Sequence, residues 1–422
     1  MKVAIIGAGF AGLGAAYRLS QKGHAVSLFE RESVPGGLAL GYKKKEWDWS
    51  LESYYHHWFT NDASVLQLAK ELDYPVSITR PKTSVYVDGE SYQLDSPKAF
   101  LTFPKLSLLD RLRMIETLAM LKINPFWKHM EKVKATEFLP KAMGEKAYKL
   151  IWEPQLTNKF GSYADTISLA WFWARIKKRT PSLAYPKGGF LQFAKALDKK
   201  IHALGGHTYY KSEVTKISEE HGKTYVTHDG KKEQFDKVIV TIPSFPFLKI
   251  APQLPEEYQK RLLKLEGIGA MTIVLRLKKQ FLTDNTYWLS ICEPQSPIMA
   301  VVEHTNFMDK KHYNNEHIVY LGNYLSPKHP YYNMTEKQLM EIFHPFLSEL
   351  HPGYEKDIIG FDMFKTPFAQ PIIPTNYSKI MPPTITPLKN VFLANIQQVY
   401  PWDRGTNYAI ELGEKVAGVI SQ

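Results

Sequence analysis

A chain of 422 residues is long enough for two or three domains, and a 44% hydrophobic content gives it a large core and excludes a disordered chain. The 53 Lys and Arg against 42 Asp and Glu leave a net charge of +11. That balance favours anionic partners, but the lysines are spread along the whole chain, as on a solvated basic surface, and no nucleic-acid partner is expected. The one cysteine, Cys292, excludes an intrachain disulfide and a Cys-based metal site and fits a reducing, cytoplasmic compartment. No apolar run reaches the roughly 18 residues of a membrane span. Met1, Lys2 and the small apolar residues after them resemble a short signal peptide, yet no small-residue cleavage site follows, and the glycine spacing explains the segment better.

The first element is a short buried strand, Lys2 to Ile6, followed by Gly7-Ala8-Gly9-Phe10-Ala11-Gly12. Ala15, Ala16 and Leu19 then recur at helical spacing up to Gly23, and a second strand, Ala25 to Phe29, ends in Glu30. Each residue type has a task in binding a dinucleotide: Gly7 permits the tight turn, Gly9 admits the pyrophosphate to the backbone, and Gly12 lets helix and strand pack closely. The open helix N-terminus offers N–H groups to phosphate. Glu30 stands where a carboxylate accepts both ribose hydroxyls and repels a 2′-phosphate.

The pattern continues through Glu30-Arg31-Glu32-Ser33-Val34-Pro35-Gly36-Gly37. This extended fingerprint resembles the FAD-dependent amine oxidase, protoporphyrinogen oxidase and phytoene desaturase superfamily. The resemblance implies an α/β fold: a Rossmann-type FAD-binding domain with an interleaved substrate domain of mixed sheet and helices. It places Gly7, Gly9, Phe10, Ala11, Gly12, Glu30, Arg31, Gly36, Gly37 and Leu38 around FAD. The family usually has Arg where this chain has Leu38, so one phosphate-side cation is missing.

Further along, Gly188-Gly189, a helix through Ala194, Leu197 and Ile201, Gly205-Gly206 and a strand with Val214 and Ile217 follow the family's order, in which Val214 meets the adenine through its backbone. Phe235 to Pro243 resembles the strand that returns to the FAD domain. Near the end, a strand from Asn390 to Asn395 precedes a loop and a helix marked by Ile410, Val416 and Ile420. In the family such a helix brings amides to the flavin pyrimidine edge, which gives Arg404, Asn407, Tyr408, Ala409 and Ile410 a cofactor role. Residues 395–398 hold no cysteine for a covalent link, so the FAD is expected to be non-covalent. The implied FAD domain is 1–75, 188–245 and 385–422, and the substrate domain is 76–187 and 246–384.

In the intervening blocks, Val85 to Leu94 reads as a hairpin turning at Asp88-Gly89. Apolar residues at 108, 109, 112, 115, 118 and 119 mark an amphipathic helix over 105–123 that also carries Arg111, Arg113 and Lys122, a pattern that suits peripheral membrane contact. Helices are expected through 131–180 and strands at 270–278 and 316–325. Trp171, Trp173 and Arg175 lie two apart, which on a helix gives them no shared face and no joint role.

The segment after the second glycine pair runs under the flavin in the family, so Tyr54, Tyr55 and His56 are expected near it, with His56 and His57 as substrate-site candidates. An aromatic core with a hydrogen-bonded histidine is the plainer alternative. Glu303 and His304 are further substrate candidates, although strand alternation would send them to opposite faces. No metal site is expected, since the paired histidines have no third ligand, and no catalytic acid–base residue stands out. The implied activity is that of an FAD-dependent oxidoreductase taking hydride from an organic small molecule, apolar or amine-bearing. The alternative is a non-redox flavoenzyme such as a sugar-nucleotide mutase. Its substrate would require clustered arginines, and here Arg111/Arg113 and Arg175/Arg179 are the nearest groupings.

Overall fold

The computed structural model describes residues 1–421. Its first layer is a five-stranded parallel sheet in the order 207–210, 25–30, 2–6, 237–240, 391–393. All five strands come from the three segments assigned to the FAD domain. Lys2–Ile6 is rich in β-branched residues and buried on both faces, as a central parallel strand requires. The helix Phe10–Gln21 covers one face and packs on the C-terminal helix Thr406–Ile420. The two helices meet backbone to backbone. A Cβ on Gly413 would lie 2.1 Å from the Ala11 carbonyl oxygen, and one on Gly14 would lie 3.2 Å from that of Ile410.

The second layer is a mixed seven-stranded sheet, ordered 358–371, 267–277, 317–325, 300–303, 286–291, 82–87, 90–93. Its pairs are antiparallel except for Thr286–Ile291 beside Lys82–Val87. The expected hairpin is there, turning through Asp88 and Gly89 at φ of 49° and 77°. Helix Glu336–Leu350 backs this sheet through Leu339, Phe343 and Leu347. A three-stranded sheet, ordered 58–59, 183–186, 76–79, ties together strands from both sides of the expected domain border at residue 75.

Helices fill residues 97–178, including Leu108–Ile123, Glu153–Phe160 and Leu169–Lys178. A π-helical turn, Tyr148–Trp152, leads into the second of these. Ser168 caps the third by accepting from the Ala170 amide at 3.1 Å. That helix stops before Thr180-Pro181, because proline pushes the residue before it out of helical geometry. Among the described residues, no helix is long and apolar enough to cross a membrane.

Candidate functional site

The N-terminal loop is shaped by residues that have no side chain. Gly7 adopts φ of +102°. A Cβ on Gly12 would lie 1.9 Å from the Gly7 carbonyl oxygen, and one on Gly37 would lie 2.9 Å from the Gly9 Cα. Gly9 and Gly36 form a parallel bridge, so the two glycine turns make one cradle. Gly9 is also the N-cap of helix Phe10–Gln21, and no side chain caps the first-turn amides. This is what a pyrophosphate needs: close backbone approach, free N–H donors and the positive end of a helix dipole. Phe10 turns its ring into the core against Phe190 and Phe193, leaving its backbone at the loop. Ala11 packs at the crossing with the C-terminal helix.

Glu30 is buried and braces this cradle. Its carboxylate accepts from the Ala8 amide at 2.7 Å and the Glu32 amide at 2.9 Å. A carboxylate has about four acceptor sites, so two remain for ribose hydroxyls. Arg31 is turned outward, paired with Glu32 at 3.3 Å. Leu38 is half-buried within the turn Gly37–Ala39. Val214 opens the strand Val214–Glu220 close to Glu30, whose carbonyl accepts from the Ser212 amide at 2.9 Å.

The C-terminal residues divide between roles. Thr406 accepts from the Trp58 indole at 2.7 Å. Asn407 is buried, and its side-chain oxygen accepts from the Val65 amide at 3.1 Å, so this side chain caps helix Ala63–Glu71 from outside. Tyr408 stacks on Trp402 and its buried hydroxyl has no partner among the described residues. Ala409 packs against the core that buries Ile410 at the crossing with helix Phe10–Gln21.

Tyr54, Tyr55, His56 and His57 lie deep in the molecule yet keep accessible surface, so they line an internal space that water can enter. His56 donates to the Tyr54 carbonyl at 2.6 Å, and His57 pairs with the Tyr287 hydroxyl at 3.1 Å. Burial pushes the imidazoles down, to about 4 for His56 and about 3 for His57, so both are neutral at physiological pH. Tyr55 packs edge-on to Trp288 and Tyr320.

Glu303 and His304 are elsewhere, and the expectation of substrate contact is corrected. Glu303 is fully buried, accepts from the Phe281 and Leu282 amides, and pairs with His317 at 3.2 Å. His304 is held by the Tyr313 hydroxyl at 2.8 Å inside an aromatic cluster with Tyr185 and Phe307. Both close the core of the sheet rather than the internal space.

A second correction concerns Trp171 and Arg175. They are four apart, one helical turn, and they act together. The Trp171 indole donates to Asp403 Oδ1 at 3.1 Å and Arg175 donates to Oδ2 at 2.7 Å. Trp173 faces away, donating to the Asn124 carbonyl at 2.8 Å. Asp403 also accepts from the Gln370 amide at 3.4 Å and the Arg404 backbone at 3.1 Å. Burial alone would raise the Asp403 carboxyl, but Lys159, Arg175 and Arg404 outweigh it and hold it well below the usual range.

Around this carboxylate the fold gathers cations that are far apart in sequence. Arg404 bonds Gln370 at 3.0 Å and the Tyr324 hydroxyl. Lys159 Nζ lies 4.7 Å from the Tyr324 ring centre and 5.2 Å from that of Trp171, the ring that Arg175 also covers at 5.1 Å. Arg179, one turn beyond Arg175, is exposed and close enough for its charge to act on His57 and Lys159. Crowding by neighbouring protein and the Arg175 charge push the guanidinium of this exposed residue down to about 10, still charged at neutral pH. The spacing of Arg175 and Arg179 was the only sequence signal for this cluster. Lys159 and Arg404 gave none, because tertiary folding alone brings them there. Folding thus supplies a cluster of cations beyond the Arg111/Arg113 and Arg175/Arg179 groupings visible in the sequence.

Glu52 was also missed. It is fully buried and accepts from the Phe190 amide and the Tyr185 hydroxyl, each at 2.8 Å. Burial raises its carboxyl to about 7.

The glycine cradle with its open helix end has the form a dinucleotide needs, and a family model described as flavin containing amine oxidoreductase matches residues 10–420. The chain belongs to the flavin-containing amine oxidoreductase family. As a member it is an oxidoreductase-type flavoprotein. Over 73 residues it is 42% identical to 15-cis-phytoene desaturase of Synechococcus elongatus, a match covering 17% of this chain and only 15% of that protein. A reduced UDP-galactopyranose mutase superposes with a TM-score of 0.77 at 16% identity, covering 100% of this chain and 94% of that one. Cyclohexylamine oxidase from Brevibacterium oxydans superposes with a TM-score of 0.77 at 13% identity, covering 100% and 98%. At such identities these two share the fold alone with this amine oxidoreductase family member.

Proposed function

We propose that the protein is an FAD-dependent oxidoreductase that holds FAD non-covalently and removes hydride from an organic small molecule bound in the internal space. The observation that carries the reading is the double-glycine cradle, in which Gly12 and Gly37 leave no room for a Cβ beside the uncapped helix that opens at Gly9. The residues present fit the dinucleotide. The Gly7–Gly12 turn and the amides that follow it would hold the pyrophosphate, Glu30 the ribose, and Val214 the adenine side. The backbone opening helix Thr406–Ile420 would face the pyrimidine edge.

Bound FAD supplies the two-electron redox chemistry. The chain's own residues bind and orient. Tyr55 and Trp288 offer aromatic faces, while neutral His56 and His57 are fixed by Tyr54 and Tyr287. Tyr287 and Trp288 of the 286–291 strand and Tyr320 of the 317–325 strand pack against Tyr55 and His57.

The clustered cations at Asp403 specifically favour keeping the second reading, a non-redox flavoenzyme acting on an anionic sugar derivative. Anaerobic mixing with candidate substrates separates the two. Stoichiometric bleaching of the flavin by a substrate is the expected result. Turnover that leaves the flavin spectrum unchanged would favour the second reading.

A further inference from the structure

Three elements deliver positive charge to one internal wall: Lys159 from helix Glu153–Phe160, Arg175 and Arg179 from helix Leu169–Lys178 and its end, and Arg404 from the loop before the last helix. The carboxylate among them is Asp403, and its oxygens are already engaged by Arg175, Trp171, Gln370 and the Arg404 amide. Nearby Lys178 stands apart, over the Trp402 ring and acting on Asp62.

Two of the four cations have protein acceptors, Arg175 in Asp403 and Arg404 in Gln370. The other two have none among the described residues. Lys159 is 8% exposed and meets only the ring faces of Tyr324, Trp171 and Phe160. Arg179 is exposed, and its guanidinium makes no hydrogen bond or ion pair among the described residues. Ring faces offset only part of the desolvation of an ammonium. A wall with more cations than carboxylates, two of them unpartnered, carries a positive potential that an amine substrate would worsen and an anion would relieve. Burial and the Arg175, Arg404 and Arg179 charges hold Lys159 well below the ordinary lysine range, against the pull of Asp403.

We propose that the internal space recognises its substrate through an oxyanion, a carboxylate or a phosphate, seated between Lys159 and Arg179 and backed by Arg175 and Arg404. This deepens the oxidoreductase reading and rests on it for the site's purpose. It replaces the expectation of an apolar or amine-bearing substrate.

The test uses the purified holoprotein, dialysed free of phosphate, titrated by calorimetry with benzoate, inorganic phosphate and benzylammonium. Benzoate or phosphate should bind, and the one that binds more tightly identifies the anion source; benzylammonium should not bind. Arg179→Ala and Lys159→Met should each weaken anion binding at least tenfold at unchanged melting temperature, and Arg179→Lys should recover part of the loss. Neither side chain has a hydrogen-bond or ion-pair partner among the described residues to lose, so both variants should fold. Binding of neither anion, benzylammonium binding as tightly as benzoate, or anion affinity unchanged in both variants would overturn the proposal. If the preparation holds no flavin but the anion binds and both variants lose it, the cofactor reading fails and the oxyanion site stands.

Discussion

Glu30 shows how one side chain serves two purposes. Its carboxylate ties the Ala8 and Glu32 amides together, shaping the loop that the dinucleotide needs. Glu30→Ala removes both charge-assisted bonds and the ribose acceptor, so FAD affinity should fall at least tenfold, about 1.4 kcal/mol. Titration of the apoprotein with FAD measures it, and an unchanged dissociation constant would place the ribose elsewhere. Glu52 gives a pH signature. Its carboxyl moves from an ordinary 4.5 to about 7 on folding, so the folded chain holds the proton more tightly than the unfolded one. The stability this contributes is full below 4.5 and is lost as pH rises through about 7, on the order of 1–3 kcal/mol. Glu52→Gln keeps the Phe190 bond and can donate to the Tyr185 oxygen. Melting scans across pH should show the variant flatter than wild type between 4.5 and 7 and more stable above 7. A wild type with no such slope would contradict the assignment.

At the scale of elements, helix ends and helix faces carry the testable content. Helix Ala63–Glu71 has Asp62 at its N-cap without a side-chain cap bond, and Asn407 supplies the missing acceptor to Val65 from the last helix. Asn407→Leu should therefore cost about 1 kcal/mol of stability, as loss of a cap does, and lower the melting temperature. Retained stability would mean that water replaces the side chain fully. Helix Leu108–Ile123 buries Met114, Thr117 and Leu121, while Leu108, Leu109 and Leu112 are 60%, 66% and 49% exposed, and Ile123 and Phe126 exceed 70%. Arg111 and Arg113 are tied down to the Leu101 and Lys141 carbonyls at the base of this face. An apolar outer face with basic residues at its border suits an anionic bilayer surface, and we propose peripheral contact there. Wild type should sediment with anionic liposomes at low salt, and a Leu109→Glu/Leu112→Glu double variant should stay behind. Wild type left in the supernatant would contradict the contact.

For the whole molecule, what the sequence disclosed depended on how local the determinant was. The glycine turns, the acid after the second strand, the Asp88-Gly89 hairpin and the last helix are set by neighbouring residues and were readable. The cation wall was not, because Lys159, the Arg175–Arg179 turn and Arg404 are far apart in sequence and meet only through tertiary folding. The 171–175 helix was legible in kind, but its face was misread: spacing of two hid the pair at spacing four. Glu303 and His304 looked chemical because they are polar and adjacent, yet buried amides and a tyrosine hydroxyl consume them. Non-covalent FAD binding underlies every role assigned to the cradle residues. Protein purified and passed through gel filtration after saturation with FAD should be yellow, with one flavin per chain, and acid precipitation should release all of it to the supernatant as FAD. Protein that stays colourless after saturation, or flavin that remains with the precipitate, would contradict it.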